Sequence, residues 1–228
     1  IYLSANGDGN IVRHNVTYNH PAGAMIRTDD DSHGATVQGN LLFGTKGNQG
    51  IAIKGLNDAT GNVFVNCHLL TGRAGNTVDP ESDLSRNIIY FVSGAAAEGF
   101  HYGIDSVGAG LDYNLYYHNA AGVGESLLQE QRARNKTALA DHHSLATDPL
   151  FVDPVHGDFS FKTGSPALKL GIKPLSLDIV GKMGTLRDPF LARFMSDSTE
   201  FFKRPPEEAD GRKGNKKKRG KRKNELNL

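Results

Sequence analysis

The 228-residue sequence has no tryptophan and a single cysteine, Cys67. One thiol excludes an intrachain disulfide framework. Its position directly after Asn66 reads as a small core or bend residue rather than a nucleophile. Without tryptophan, any platform for stacking a sugar ring must come from tyrosine or histidine. No apolar run is long enough to span a membrane as a helix, and no segment from 1 to 119 has a long helical period. An initiator Met is also missing. The chain opens on Ile1-Tyr2-Leu3-Ser4, already inside a strand-like pattern, so further coils are expected upstream and a signal segment cannot be read.

What is present is a returning phrase, Asn followed by apolar residues. It occurs as Asn15-Val16-Thr17-Tyr18, Asn40-Leu41-Leu42-Phe43, Asn62-Val63-Phe64-Val65, Asn87-Ile88-Ile89-Tyr90 and Asn114-Leu115-Tyr116-Tyr117, at intervals of 25, 22, 25 and 27 residues. A period of that size marks stacked supersecondary units that share one continuous core. The phrases read as short, half-buried strands. Gly7-Asp8-Gly9-Asn10, Asn57-Asp58 and Gly72 to Asn76 are turn residues between them. The leucine signature of leucine-rich repeats is absent, and a parallel β-helix fits best. A second strand in each coil is predicted by laying Gly23-Ala24-Met25-Ile26-Arg27 over Gly50-Ile51-Ala52-Ile53-Lys54, 27 residues apart. The repeated Asn then sits at one bend, where its amide satisfies turn backbone groups and the Asn of the next coil.

The division expected is coils over 1–119, a C-terminal cap over 120–195, and a disordered tail over 196–228. In the cap, Ser126 to Arg132 reads as a short helix with Ser126 as its cap. Asp148 to Pro154 and Phe159 to Lys162 read as strands, and Ser165-Pro166-Ala167-Leu168 opens a helical turn. The segment is expected to close the open end of the stack, which otherwise exposes apolar surface and strand edges. The net charge of +1 conceals an asymmetry: residues 203–228 carry +7 and residues 1–202 carry −6. Nine of the twelve residues from Arg212 to Lys223 are basic. Such a block repels itself and stays solvated. It has no aromatic interleaving for nucleic-acid stacking, so its expected contacts are non-specific ones with polyanions.

The stretch Asp141-His142-His143-Ser144-Leu145 to Asp148-Pro149-Leu150-Phe151-Val152-Asp153-Pro154, with Gly157-Asp158-Phe159, Ser165 to Gly171 and Asp112-Tyr113-Asn114-Leu115-Tyr116, resembles bacterial right-handed parallel β-helix proteins. It is similar in particular to pectate-lyase-like enzymes and β-helical glycoside hydrolases of the fucosidase and xylanase type. The resemblance covers about residues 1–190. It implies an all-β right-handed parallel β-helix, a polysaccharide substrate, an extracellular or periplasmic location and a monomer. Arg27-Thr28-Asp29-Asp30-Asp31-Ser32 resembles the acidic turn of those relatives. The positions matching their His-containing strand, Gly50 to Lys54, carry no His.

Glycoside hydrolysis needs two carboxyl groups. Asp29, Asp30, Asp31 and Asp58 are the catalytic candidates, with Asp58 expected one coil above Asp29. Crowding in the Asp run can raise one pKa. The same run reads alternatively as a calcium site or as a solvated turn. Arg27 and Lys54 are expected on one face beside it, as substrate-binding groups or as the base of a polysaccharide lyase. His101, Tyr102 and Asp105 form a second candidate substrate-binding cluster. His142 and His143 read as structural. No cofactor other than calcium is implied, and a non-catalytic β-helical binding protein is the reading from another class.

Overall fold

The computed structural model describes residues 1–18, 20, 23–30, 32–44, 49–71, 78–92, 110–134, 140–154 and 157–175. It is a parallel β-solenoid. The first coil contributes β1 (Tyr2–Leu3), β2 (Ile11–Arg13) and β3 (Val16–Thr17). The second contributes β4 (Ala24–Thr28), β5 (Thr36–Gln38) and β6 (Leu41–Phe43), and the third β7 (Gln49–Ile53), β8 (Asp58–Thr60) and β9 (Val63–Val65). The chain continues through β10 (His68–Thr71), β11 (Ile88–Phe91) and β12 (Leu115–His118). Helix α1 (Val123–Arg134), β13 (Leu145–Ala146), β14 (Phe151–Asp153), β15 (Asp158–Phe161) and helix α2 (Pro166–Lys169) follow. Three parallel sheets result, in the orders β1-β4-β7-β10, β2-β5-β8 and β13-β12-β11-β9-β6-β3.

The repeated asparagines form a ladder along one bend. Asn15, Asn40, Asn62 and Asn87 each direct their backbone N–H and side-chain Nδ2 at the Oδ1 of the Asn in the next coil, at 2.8–3.3 Å. The Nδ2 groups of Asn40, Asn62 and Asn87 also reach back to carbonyls of the previous coil, as from Asn62 to Val37 at 2.9 Å. Asn40, Asn62, Asn87 and Asn114 are all buried, and a buried amide with every group satisfied is stabilising rather than costly. The ladder ends on Ser144, whose Oγ accepts the Asn114 N–H at 2.8 Å. The residue before each Asn turns the corner with φ between 55° and 62°: His14, Gly39, Gly61, Arg86 and Tyr113. Glycine takes that conformation freely, whereas the three side-chain-bearing residues are held in it by the ladder.

A second, shorter ladder follows the other bend. Ser32 Oγ is paired with Asn6, Asn57 donates Nδ2 to Ser32 O at 2.8 Å, and Asn57 N–H donates to Ser82 Oγ at 3.1 Å.

The central strands β6, β9 and β11 of the six-stranded sheet are buried on both faces rather than half-buried. Leu42, Phe64, Ile89 and Tyr116 are in register and belong to the interior core with Ile26, Ile51 and Val37. Leu41, Val63, Ile88 and Leu115 form the neighbouring outward column, yet are equally buried. They pack with Phe151, Phe159, Ala167, Leu170 and Ile172. The antiparallel pair β14–β15 and α2 therefore cover the side of the sheet. Closure of the coil end falls to α1, whose Leu127 and Leu128 join the interior core. Within the expected cap segment, the helix packs at the coil end and the residues after it strap a face. Full burial of a Leu, Val or Phe is worth about 1.5–3 kcal/mol, so two-sided strands anchor this sheet.

Helix α1 begins at Val123, three residues before Ser126. Ser126 Oγ donates to Gly122 O inside the first turn, so it is not the cap. The second helical turn is capped as expected, with Ser165 Oγ accepting from Ala167 N–H at 3.2 Å and donating to Pro149 O at 2.6 Å.

Candidate functional site

Strands β4 and β7 pair with Ala24 opposite Gln49 and Ile26 opposite Ile51, an offset of 25 and not 27. The two-residue difference preserves the inward and outward alternation, so strand pattern alone cannot detect it. It changes the site, because Lys54 now follows β7 where Asp29 follows β4. The lysine faces the carboxylate instead of stacking against Arg27.

Local backbone bonds fix this corner. Asp29 N–H donates to Leu3 O at 2.8 Å, and Ser32 N–H donates to Asp29 O at 2.9 Å. Thr28, fully buried, donates its Oγ1 proton to Lys54 O at 3.2 Å and accepts the Lys54 N–H at 3.0 Å. The threonine thus holds the lysine backbone beside the aspartate.

Asp29 is buried, and both of its carboxylate oxygens are occupied. Oδ2 takes Arg27 Nη2 at 2.7 Å and the Tyr2 hydroxyl proton at 2.9 Å. Oδ1 pairs with Lys54 Nζ. Burial works against the charge, but the Lys54 and Tyr2 hydrogen bonds, the Asp30 backbone N–H and the Arg27 guanidinium outweigh it. Together they hold the Asp29 carboxyl well below the usual carboxylate range. Asp30 is exposed and lies 3.4 Å from the same Lys54 Nζ. Tyr2, in register with Arg27, carries the guanidinium 6.0 Å from its ring centroid.

Among the sequence candidates, Arg27, Asp29, Asp30 and Lys54 come together. Asp58 does not join them: it opens β8, in register with Thr36 on the β2-β5-β8 sheet, and its Oδ1 accepts the Asp83 N–H at 2.8 Å. The turn between β7 and β8 carries it around a corner, so it does not stand one coil above Asp29. Asp31, His101, Tyr102 and Asp105 lie outside the described residues, as does the basic tail. Tyr2 was not singled out from sequence; the 25-residue ladder step, applied backwards from Arg27, would have found it.

Three other clusters are built for structure. Cys67 is fully buried in the interior core, and burial pushes its thiol well above the ordinary range. His143 Nδ1 lies 2.7 Å from Asp112 Oδ2 and its ring stacks on Tyr113 at 4.7 Å. Asp141, fully buried, receives Ser144 Oγ at 2.7 Å and the Tyr116 hydroxyl at 3.0 Å. Burial pushes Asp141 up to about 6 against those hydrogen bonds, with Asp112 adding to the rise. Among the described residues no group of three or more His, Cys, Asp or Glu side chains is placed to hold a metal ion, and no helix is long and apolar enough to cross a membrane.

No family model, curated protein or solved structure matches this chain. The fold and the corner around Asp29 define it as a parallel β-solenoid with a charged, partly exposed site on one sheet.

Proposed function

We propose that this is a carbohydrate-active protein that engages a complex polysaccharide along the outer face of the β1-β4-β7-β10 sheet, with glycoside hydrolysis as its reaction. The observation that carries the reading is one carboxylate kept ionised at the sheet end by Arg27, Lys54 and Tyr2, with the exposed carboxyl of Asp30 beside it. Hydrolysis by two carboxyls assigns one to stay ionised and one to move a proton. Asp29 suits only the first task, since a carboxyl held so far below neutrality has no proton to give there. Asp30, exposed and 3.4 Å from Lys54 Nζ, is the neighbouring carboxyl left for the second. A lyase has less support, because both candidate bases, Arg27 and Lys54, are already engaged by Asp29.

A second reading has its own observation. Both oxygens of Asp29 are saturated within the chain, which suits a latch between coils in a protein that binds glycan without cleaving it.

A polysaccharide panel separates these. Hydrolysis yields new reducing ends without unsaturated products, and Asp29→Asn lowers that rate by at least about 100-fold, the size typical of a lost acid–base or electrostatic group. Retention on glycan without products supports the binding reading. Unsaturated products, or full activity in Asp29→Asn, would overturn the assignment.

A further inference from the structure

We infer that the turn over 140–144 is a proton-operated latch: it holds helix α1 on the end of the coil stack while the Asp141 carboxyl is neutral, and releases the helix when that carboxyl ionises. The inference is independent of the carbohydrate reading, since no group of the Asp29 corner takes part in it. Asp141 is fully buried where the ladder end, β12 and α1 meet. It turns the chain with φ 53°, and its N–H donates to Leu111 O at 2.6 Å. Arg132 of α1 donates Nε to Asp141 O at 3.0 Å, and Nη2 to His142 O at 3.4 Å and Ser144 O at 3.2 Å. The helix is tied to the turn by this guanidinium, while its Leu127 and Leu128 share the interior core with Tyr116.

The two carboxyl oxygens are not equivalent. Oδ1 accepts the Ser144 hydroxyl proton at 2.7 Å and Asn114 Nδ2 at 3.4 Å, and the same Ser144 Oγ accepts the Asn114 N–H that ends the ladder. The partner of Oδ2 is the Tyr116 hydroxyl at 3.0 Å, which lies 3.1 Å from Oδ1 as well. A phenol both donates and accepts. The neutral acid therefore carries its proton on Oδ2 and donates it to Tyr116 Oη, which leaves both oxygens paired. Ionisation removes that proton and turns the Tyr116 hydroxyl back onto the carboxylate.

The charged groups around the carboxyl do not relieve the charge so formed. Arg132 directs its N–H groups at the turn carbonyls rather than at the carboxyl. Asp112 adds repulsion and is itself held by the ring Nδ1 and the backbone N–H of His143, at 2.7 Å each. His142 is exposed. Among the described residues no lysine, arginine or histidine forms an ion pair with Asp141. A buried carboxyl without a cation is least costly when neutral, and burial pushes Asp141 up to about 6. Once the turn opens, water reaches the group and its proton affinity returns to the ordinary range, about 4. Ionisation thus favours the open turn as pH rises through about 6 and has no effect on it below about 4. An open turn gives up the carbonyls that Arg132 grips, and α1 lifts with it.

The test is amide hydrogen exchange of the full chain at about pH 5 and about pH 7.5, corrected for the intrinsic effect of pH on exchange. Helix α1 and the turn over 140–144 are expected to be less protected than β6 and β9 at both values. They should open about ten-fold more often at the higher pH, the linkage of a carboxyl that passes from about 6 to about 4 on opening. Asp141→Asn keeps an acceptor in place of Oδ1 and a donor in place of Oδ2, a fixed copy of the neutral form, and should abolish the ten-fold change. The same change in Asp141→Asn would assign it to another group, His143 on Asp112 above all, and overturn the inference. So would protection of α1 equal to that of β6 and β9, since the helix would then leave only when the whole stack unfolds, or a pH-dependent turn under a pH-independent helix. Carbon-13 titration of the parent's carboxyl resonances reads the group without any variant: the Asp141 signal should move with a midpoint of about 6. A signal that stays fixed between about pH 4.5 and 7.5 would overturn the latch even if Asp141→Asn did not fold.

Discussion

Asn62 joins three coils through one side chain: it accepts from Asn40, donates to Asn87 and donates to Val37 O. Replacing it by Ala leaves the buried Asn40 backbone N–H without its acceptor and Val37 O without its donor, while Asn40 Nδ2 keeps the carbonyls of Val12 and Gln38. Asn62→Ala is expected to cost about 2–4 kcal/mol, the sum of one or two unsatisfied buried groups, measured by denaturant unfolding. Two aspartates set opposite pH dependences at the same scale. Asp141 has a folded pKa raised to about 6, above an unfolded value of about 4. Its stabilising contribution is complete below the unfolded value and is lost as pH rises through about 6. Asp29 is depressed, so its contribution is present above the unfolded value and is lost as pH falls below about 4. Asp141→Asn should flatten the fall in stability between about pH 4 and 6 while leaving the acid limb; an unchanged profile between those values would show that Asp141 does not titrate there. At this scale the sequence was legible where residues repeat. The ladder asparagines announce themselves by spacing. Asp141 does not, because it occurs once and its burial is created by α1 and the turn around Ser144.

The six-stranded sheet shows how an element departs from its expected pattern. Leu41-Leu42-Phe43, Val63-Phe64-Val65 and Ile88-Ile89-Tyr90 are apolar without interruption. That is the mark of strands covered on both faces, which parallel sheets generally are, and it overrides the alternating reading. The covering layer is β14, β15 and α2, seated through Phe159 against Phe43 at 5.8 Å and through Phe151 against Tyr90 at 5.2 Å between ring centroids. Phe159 is 1% exposed, and Phe159→Ala is expected to cost about 3–5 kcal/mol through lost burial and the cavity left behind. Because the strap lies over a completed sheet, that variant should loosen 148–175 while β6, β9 and β11 keep their slow amide exchange. Equal loss of protection in the sheet and the strap would show that they unfold as one unit. The Ser165 cap and both cap strands could be read from the sequence because their signals are local. The placement of the strap on a side rather than at the end could not, because it depends on which surface the coils leave uncovered.

For the whole molecule, register is the quantity that turns a repeat into a site. The ladder step of 25 between Asn15 and Asn40 also brings Tyr2 to Arg27 and Lys54 to Asp29. A two-residue slip would place like charges together with no change in the buried pattern. The fold class was therefore plain from the repeat, while the composition of the site depended on an even-numbered offset that hydrophobicity does not encode. In a solenoid each coil touches only its neighbours, so a ligand held at this corner should leave distant coils unaffected. Amide hydrogen exchange of the full chain, with and without the glycan selected by the panel, tests directly whether this corner is the binding site. Slower exchange is expected in the segments 24–30 and 49–54, with the ladder amides of Asn87 and Asn114 unchanged. Protection confined to the outer face of β2-β5-β8, where Asp58 lies, or to the strap over 148–175, would contradict it.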